Sequence, residues 1–208
     1  MNAPRSRTKK TRVASEQSEE LRTQFQDKLA PLLQTPQRLI FLDESGFNTA
    51  MTRGYARAPS HERALGRIPR YWGKNHTLIC TLGLTGPLAP LVIEGSVTGE
   101  VFEWYVREVL CPTLQPGQVV VMDNLSSHHR ASVRTLIHDQ GCELIFLPPY
   151  SPDFNPIELM FAKLKGLLRG QARRTVDALL TALWAALDAV TNQEAALWLK
   201  HAHPTASL

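Results

Sequence analysis

Gln118-Val119-Val120-Val121-Met122-Asp123 is the stretch from which the fold is read. Pro116-Gly117 breaks the chain ahead of it, and four apolar residues then run without alternation into a carboxylate. A short, continuous, β-branched run of this kind predicts a buried strand. Arg38-Leu39-Ile40-Phe41-Leu42 repeats the pattern and runs into Asp43. Apolar strands that stop at a carboxylate suggest a sheet whose C-terminal strand ends open on a site. Adjacent strands lie ~4.8 Å apart, so Asp43 and Asp123 could share one ion if these two strands pair.

The flanking sequence supplies the other layers. His76 to Leu84 and Leu88 to Ile93 are β-rich runs separated by Thr85-Gly86-Pro87, a hairpin signal. Thr98 to Leu110 and Arg130 to Gln140 carry helical spacing, and Glu143 to Leu147 is a further short strand. Gly46 to Lys74 is polar and rich in Gly and Arg, a loop or a second short strand. A long helix is expected from about Pro156 and another from Thr175 to Val190. Glu16 to Leu33 reads as an amphipathic helix with acids crowding its start. A hairpin followed by βαβ-like crossovers gives an α/β fold, a mixed sheet with helices on its faces.

Composition limits the function. Of 208 residues, 43% are hydrophobic and 20% charged, the profile of a globular protein. No apolar run reaches the ~18 residues that would span a bilayer, and no secretory signal is evident, so no membrane partner and a cytoplasmic protein are expected. Cys80, Cys111 and Cys142 are odd in number, lack CxxC pairing and read as reduced core thiols. The net charge of +4 suits a polyanionic partner. Arg5, Arg7, Lys9, Lys10 and Arg12 precede any acid, forming either a solvated tail or a DNA-backbone contact.

A third acid, Glu158, follows Asn155, a good N-cap, and Pro156, a good first helical residue. On this helix Met160, Phe161, Leu164, Leu167 and Leu168 make the expected core face. Glu158, Ala162, Lys165 and Arg169 line up on another side. A carboxylate below two cations suits a metal beside a phosphate backbone, although Glu158 could merely complement the helix dipole. Two carboxylates ~4 Å apart repel by about 4 kcal/mol at an effective dielectric of about 20. Protonation or a hard divalent cation relieves this, and all-oxygen ligands favour Mg²⁺ or Mn²⁺. Two such ions can serve an in-line displacement at phosphorus.

Three segments carry a resemblance: Phe41-Leu42-Asp43-Glu44-Ser45-Gly46-Phe47, Val121-Met122-Asp123-Asn124-Leu125-Ser126-Ser127-His128 and Leu147-Pro148-Pro149-Tyr150-Ser151-Pro152-Asp153-Phe154-Asn155-Pro156-Ile157-Glu158. Together they closely resemble the DDE transposases of the mariner superfamily, nearest to the bacterial insertion sequence 630 branch. Asp123 and Glu158 are separated by 34 residues, the spacing of members ending in Glu. The resemblance covers about Lys10 to Arg174. It implies a ribonuclease H-like fold, catalytic and metal-binding roles for Asp43, Asp123 and Glu158, and Mg²⁺ dependence with Mn²⁺ able to substitute. It also implies cleavage of double-stranded DNA at transposon ends, strand transfer into a TA target, and a homodimer in the DNA complex. Asn124, His128 and Asn155 are expected to support the acids. Lys165, Arg169, Arg53, Arg57, Arg70 and Lys74 are expected to face DNA.

The expected organisation is a basic linker with an amphipathic helix over 1–35, a catalytic domain over 36–174, and C-terminal helices over 175–208 packed on it. Relatives normally carry an N-terminal helix-turn-helix region, for which 35 residues are too few. End recognition would then come from a separate polypeptide or an upstream frame, and the protein would associate with a bacterial nucleoid. A catalytically silent, DNA-binding or dimerising remnant is the alternative, and a nuclease acting on RNA–DNA hybrids is a third.

Overall fold

Leu39–Phe47 forms the central strand, β1, of a mixed sheet. The computed structural model describes residues 14–66, 68–71, 73–124 and 130–208. With β2 (His76–Gly83), β3 (Gly86–Glu94), β4 (Val119–Met122) and β5 (Glu143–Phe146), β1 builds one five-stranded sheet in the order β3-β2-β1-β4-β5. β1 pairs antiparallel with β2, and β2 with β3, whereas β4 runs parallel to both β1 and β5. The hairpin turns at Leu84-Thr85, one residue earlier than its sequence signal, and Gly86 closes it at φ +104°, where a side chain would be strained.

Six α-helices cover the sheet among the described residues: α1 (Glu19–Leu29), α2 (Gly99–Tyr105), α3 (Ala131–Asp139), α4 (Ile157–Gln171), α5 (Val176–Asp188) and α6 (Asn192–Ala202). A π-helical turn over Val106–Leu110 prolongs α2. None of the described helices is long and apolar enough to cross a membrane.

The period of two along a strand divides the core. Leu39, Phe41, Val119 and Val121 join Phe25, Leu29, Phe161, Leu164, Leu183 and Leu199 on the face covered by α1, α4, α5 and α6. Leu42, Val120 and Met122 face the other way, against Phe102, Tyr105, Val133 and Ile137 of α2 and α3. By the same parity, positions 43 and 123 continue the α4 side. The three cysteines are free and buried, as expected of core thiols, and burial pushes the Cys80 thiol up to about 12.

Two local expectations need correction, at Asp43 and Leu167, and the open choice after Phe47 falls to the loop. β1 does not end before Asp43: its parallel pairing with β4 stops at Leu42–Met122, but antiparallel pairing with β2 carries it on, with Asp43 opposite Cys80. Beyond Phe47, residues 48–75 form an irregular loop with no strand among its described residues. Its ends close where Asn48 Nδ2 donates to Asn75 Oδ1 at 3.1 Å. Leu167 leaves the core face of α4 and is 40% exposed. At 100° per residue it falls at the edge of the apolar arc centred near Leu164, and Leu168 takes the inward position.

Candidate active site

The register of the sheet brings the first two acids side by side. Leu42 is the Cα partner of Met122, so Asp43 and Asp123 are the next residues along two parallel neighbours. Glu158 lies in the first turn of α4, on its exposed side. Asp43, Asp123 and Glu158 border one cavity of about 380 Å³, together with Asn124, Asn155 and the loop Leu147–Pro152.

Asp43 is fixed at both oxygens. Its Oδ1 accepts the Glu44 amide at 2.7 Å, and its Oδ2 accepts Asn155 Nδ2 at 2.9 Å. Burial raises its carboxyl to about 7, and the nearby charges of Asp123, Glu158 and Glu44 push in the same direction against the Glu44 amide. Asn155 does not cap α4 with its side chain: Pro156 occupies the N-cap position, and the Asn155 carbonyl accepts the Glu158 amide at 3.1 Å. Its amide turns to Asp43 instead. Asn155 is buried, and its Oδ1 has no partner among the described residues. An unpaired buried acceptor is costly unless another donor reaches it.

Among the described residues, no three His, Cys, Asp or Glu side chains converge into a ready-made metal site. The donor set nevertheless fits a hard divalent cation. Three carboxylates border one cavity, and the carboxyl of Asp43 is held near neutrality by burial and by its anionic neighbours. A cation supplies the charge such a cluster lacks, and oxygen donors suit Mg²⁺ or Mn²⁺.

The expected cations are dispersed. On α4, Lys165 is half-buried with Nζ 5.7 Å from the Phe47 ring centre, while Arg169 is exposed. Arg53 reaches the same helix, since a Cβ on Gly170 would stand 2.9 Å from its Nη2. Arg57 and Arg70 are exposed in the loop after β1, and Lys74 pairs with Glu94 of β3. Asn124 lines the cavity. His128 lies outside the described residues, as do His129, Arg67, Trp72 and the basic residues before Arg12's neighbour Val13.

Two arginines with structural partners carried no sequence signal, because those partners are over a hundred residues away. Arg22 of α1 forms a two-pronged pair with Asp153 at 3.0 and 2.7 Å. Arg174 holds the start of the 48–75 loop, donating to the carbonyls of Thr49 and Met51 at 2.8 and 3.2 Å and to Thr52 Oγ1 at 2.8 Å.

A family profile described as DDE superfamily endonuclease matches residues 38–180. No curated protein matches the sequence significantly. Among solved structures, a pre-cleavage Mos1 transpososome aligns with a TM-score of 0.73 at 16% identity, over 98% of this chain and 68% of that one. The Mos1 mariner paired-end complex with Mn gives a TM-score of 0.74 at 15% identity, over 98% and 65% of the two chains. The Mos1 transposase catalytic domain with raltegravir and Mg gives 0.65 at 15% identity, over 95% and 99%. This chain therefore spans about two thirds of the Mos1 chains in the larger complexes and nearly all of the catalytic domain. At these identities the likeness establishes the ribonuclease H-like fold. The profile covers well over half the sequence, including Asp43, Asp123 and Glu158, and the chain belongs to the DDE superfamily of endonucleases.

Proposed function

We propose that this chain is the catalytic domain of a cut-and-paste DNA transposase, cleaving DNA and joining the freed end to a target. The observation that carries the reading is the juxtaposition of Asp43 and Asp123 by strand register, with Glu158 on the same cavity. Asp43, Asp123 and Glu158 would hold Mg²⁺ or Mn²⁺, in a two-ion arrangement. Bound ions supply an activated water or 3′-hydroxyl and stabilise the leaving oxygen of an in-line displacement at phosphorus. The chain's own part is positional. Asn155 and the Glu44 amide orient the Asp43 carboxylate. The start of α4 brings Glu158 to the cavity, and Asn124, which lines it, would support Asp123; the part expected of His128 lies outside the described residues. Loss of metal-dependent plasmid nicking in Asp123→Ala tests the assignment.

Double-stranded DNA is the proposed substrate. The stripe above Glu158, Lys165 and Arg169, continues with Arg53, and the loop carrying Arg57, Arg70 and Lys74 extends the basic surface. Such side chains bind the phosphate backbone without reading sequence. The Mos1 relatives were solved as paired-end and strand-transfer complexes. By analogy, this chain would act as a homodimer on two transposon ends and insert at TA, with end recognition from a helix-turn-helix polypeptide or an upstream frame. The catalytic unit would occupy 36–174, entered through 1–35 and braced by 175–208. Its setting would be the bacterial cytoplasm, on the nucleoid.

A further inference from the structure

Phe154 stands immediately before Asn155 and is gripped by both ends of the chain. From α1, the Arg22 guanidinium lies 4.0 Å from the centre of its ring, and Phe25 stacks on it at 5.5 Å. From beyond α6, His203 stacks on it at 6.0 Å and donates Nε2–H to its carbonyl at 3.0 Å. Arg22 also holds Asp153 through two parallel hydrogen bonds, 3.0 and 2.7 Å long. The Arg22 side chain is only 15% exposed, packed over the Phe154 ring, while the Asp153 carboxylate is 56% exposed, so the pair is shielded on its guanidinium side and draws its directionality from the two-pronged geometry. The same hydrogen bonds hold the Asp153 carboxyl below its usual range and raise the guanidinium. Just ahead of α1, Gln17 Nε2 donates to the Tyr150 carbonyl at 2.8 Å. Tyr150 adopts φ +55°, which a residue with a side chain keeps only when its surroundings enforce it.

On the other side of Phe154 the chain turns at once to the acids. Asn155 Nδ2 reaches Asp43 at 2.9 Å, and the Asn155 carbonyl accepts the Glu158 amide at 3.1 Å. A displacement of Asp153 would therefore be felt at two of the three carboxylates through a single residue. Misplacements of this kind loosen metal sites even when every ligand is present.

We propose that Arg22 is a positioning residue for the acid cluster: α1 clamps Asp153 and Phe154, and so sets the metal affinity of Asp43 and Glu158. The proposal rests on the metal-dependent reading given above. It assigns the N-terminal helix a part in the site although none of its side chains lines the cavity.

The test is Mn²⁺ binding to the full chain, followed by the paramagnetic resonance of the free ion, with a thermal melt for every protein. The set comprises wild type, Arg22→Gln, Asp153→Asn, the double variant, Arg22→Lys, Asp123→Ala, and Thr191→Ala as a stability control. Thr191 caps the start of α6, at the opposite end of that helix from His203, through a reciprocal bond with Glu194, so its loss destabilises without removing any contact to Asp153 or Phe154. Arg22→Gln and Asp153→Asn are each expected to weaken Mn²⁺ binding about tenfold, by analogy with outer ligands of metal sites. The double variant should match the singles, because one link is being cut. Arg22→Lys, which keeps the charge but not the fork, should fall between, and remains informative if the glutamine variant does not fold. Thr191→Ala should bind as wild type does. Wild-type affinity in folded Arg22→Gln or Arg22→Lys overturns the proposal, as does a double variant that multiplies the single losses. Equal binding by wild type and Asp123→Ala would instead remove the metal site itself, and the proposal with it.

Discussion

Asn155 gives its side-chain amide to Asp43 Oδ2 at 2.9 Å, joining the start of α4 to the central strand across 112 positions of sequence. The bond explains why a buried asparagine precedes the helix without capping it. Asn155→Ala should therefore weaken Mn²⁺ binding about tenfold, as loss of an outer partner does at other metal sites. Calorimetric titration beside a thermal melt checks this. A loss of about 1 kcal/mol in stability, with metal affinity intact, would mean a capping role only.

The two faces of α4 should respond differently to truncation. Leu164 is fully buried and Leu167 is 40% exposed. Leu164→Ala should cost about 2 to 5 kcal/mol, whereas Leu167→Ala should fall within about 0.5 kcal/mol of wild type. Urea unfolding of the two variants measures both. Similar losses would contradict the assignment of the edge of the apolar arc.

His203 gives stability a pH dependence whose sign can be worked out. Burial holds its imidazole below the ordinary value, opposed in part by the bond to the Phe154 carbonyl and by the charge of Asp153, which Arg22 neutralises. The unfolded chain therefore takes up this proton at a higher pH than the folded chain. The contribution is complete above about pH 6.5 and is lost as pH falls towards the folded value. His203→Gln should flatten this part of the melting-temperature profile, measured with chelator present. Comparing the two proteins isolates His203 from Asp43, whose raised carboxyl titrates with the opposite sign. Asp153, held low by Arg22, loses its contribution only at more acid pH, below the usual carboxylate range.

Lys165 and Arg169 lie on the same side of α4 as Glu158. If both neutralise phosphates, Lys165→Gln/Arg169→Gln should reduce the slope of log affinity against log salt by about 2, near 0.9 for each lost contact on duplex DNA. Filter binding on one duplex across a salt series reads the slope. An unchanged slope would place the DNA elsewhere.

Much of the fold could be read locally. Val119-Val120-Val121-Met122 and Leu39-Ile40-Phe41-Leu42 each announce a buried strand, and the two do pair in parallel. The hairpin, the helices around Val133 and Leu183, and the ribonuclease H-like class follow from spacing, turn residues and family resemblance. The misses lie where neighbours in space decide. β1 passes through Asp43 because β2 is there to pair with it. Asn155 stands one residue ahead of the N-cap, Pro156, and its amide is turned to a carboxylate 112 positions away, which no local pattern reveals. Nothing near Asp153 in sequence points to Arg22, 131 positions away. Pairings of that kind arise only once α1 has docked.

The most direct measurement is nicking of supercoiled plasmid by the full chain and by Asp123→Ala, each with Mg²⁺, Mn²⁺ or chelator, alongside a thermal melt. Nicking that requires metal and disappears in a folded Asp123→Ala protein is the expected result. Equal metal-dependent nicking by both proteins would contradict the assignment of Asp123, and with it the acid cluster as the site of phosphoryl transfer.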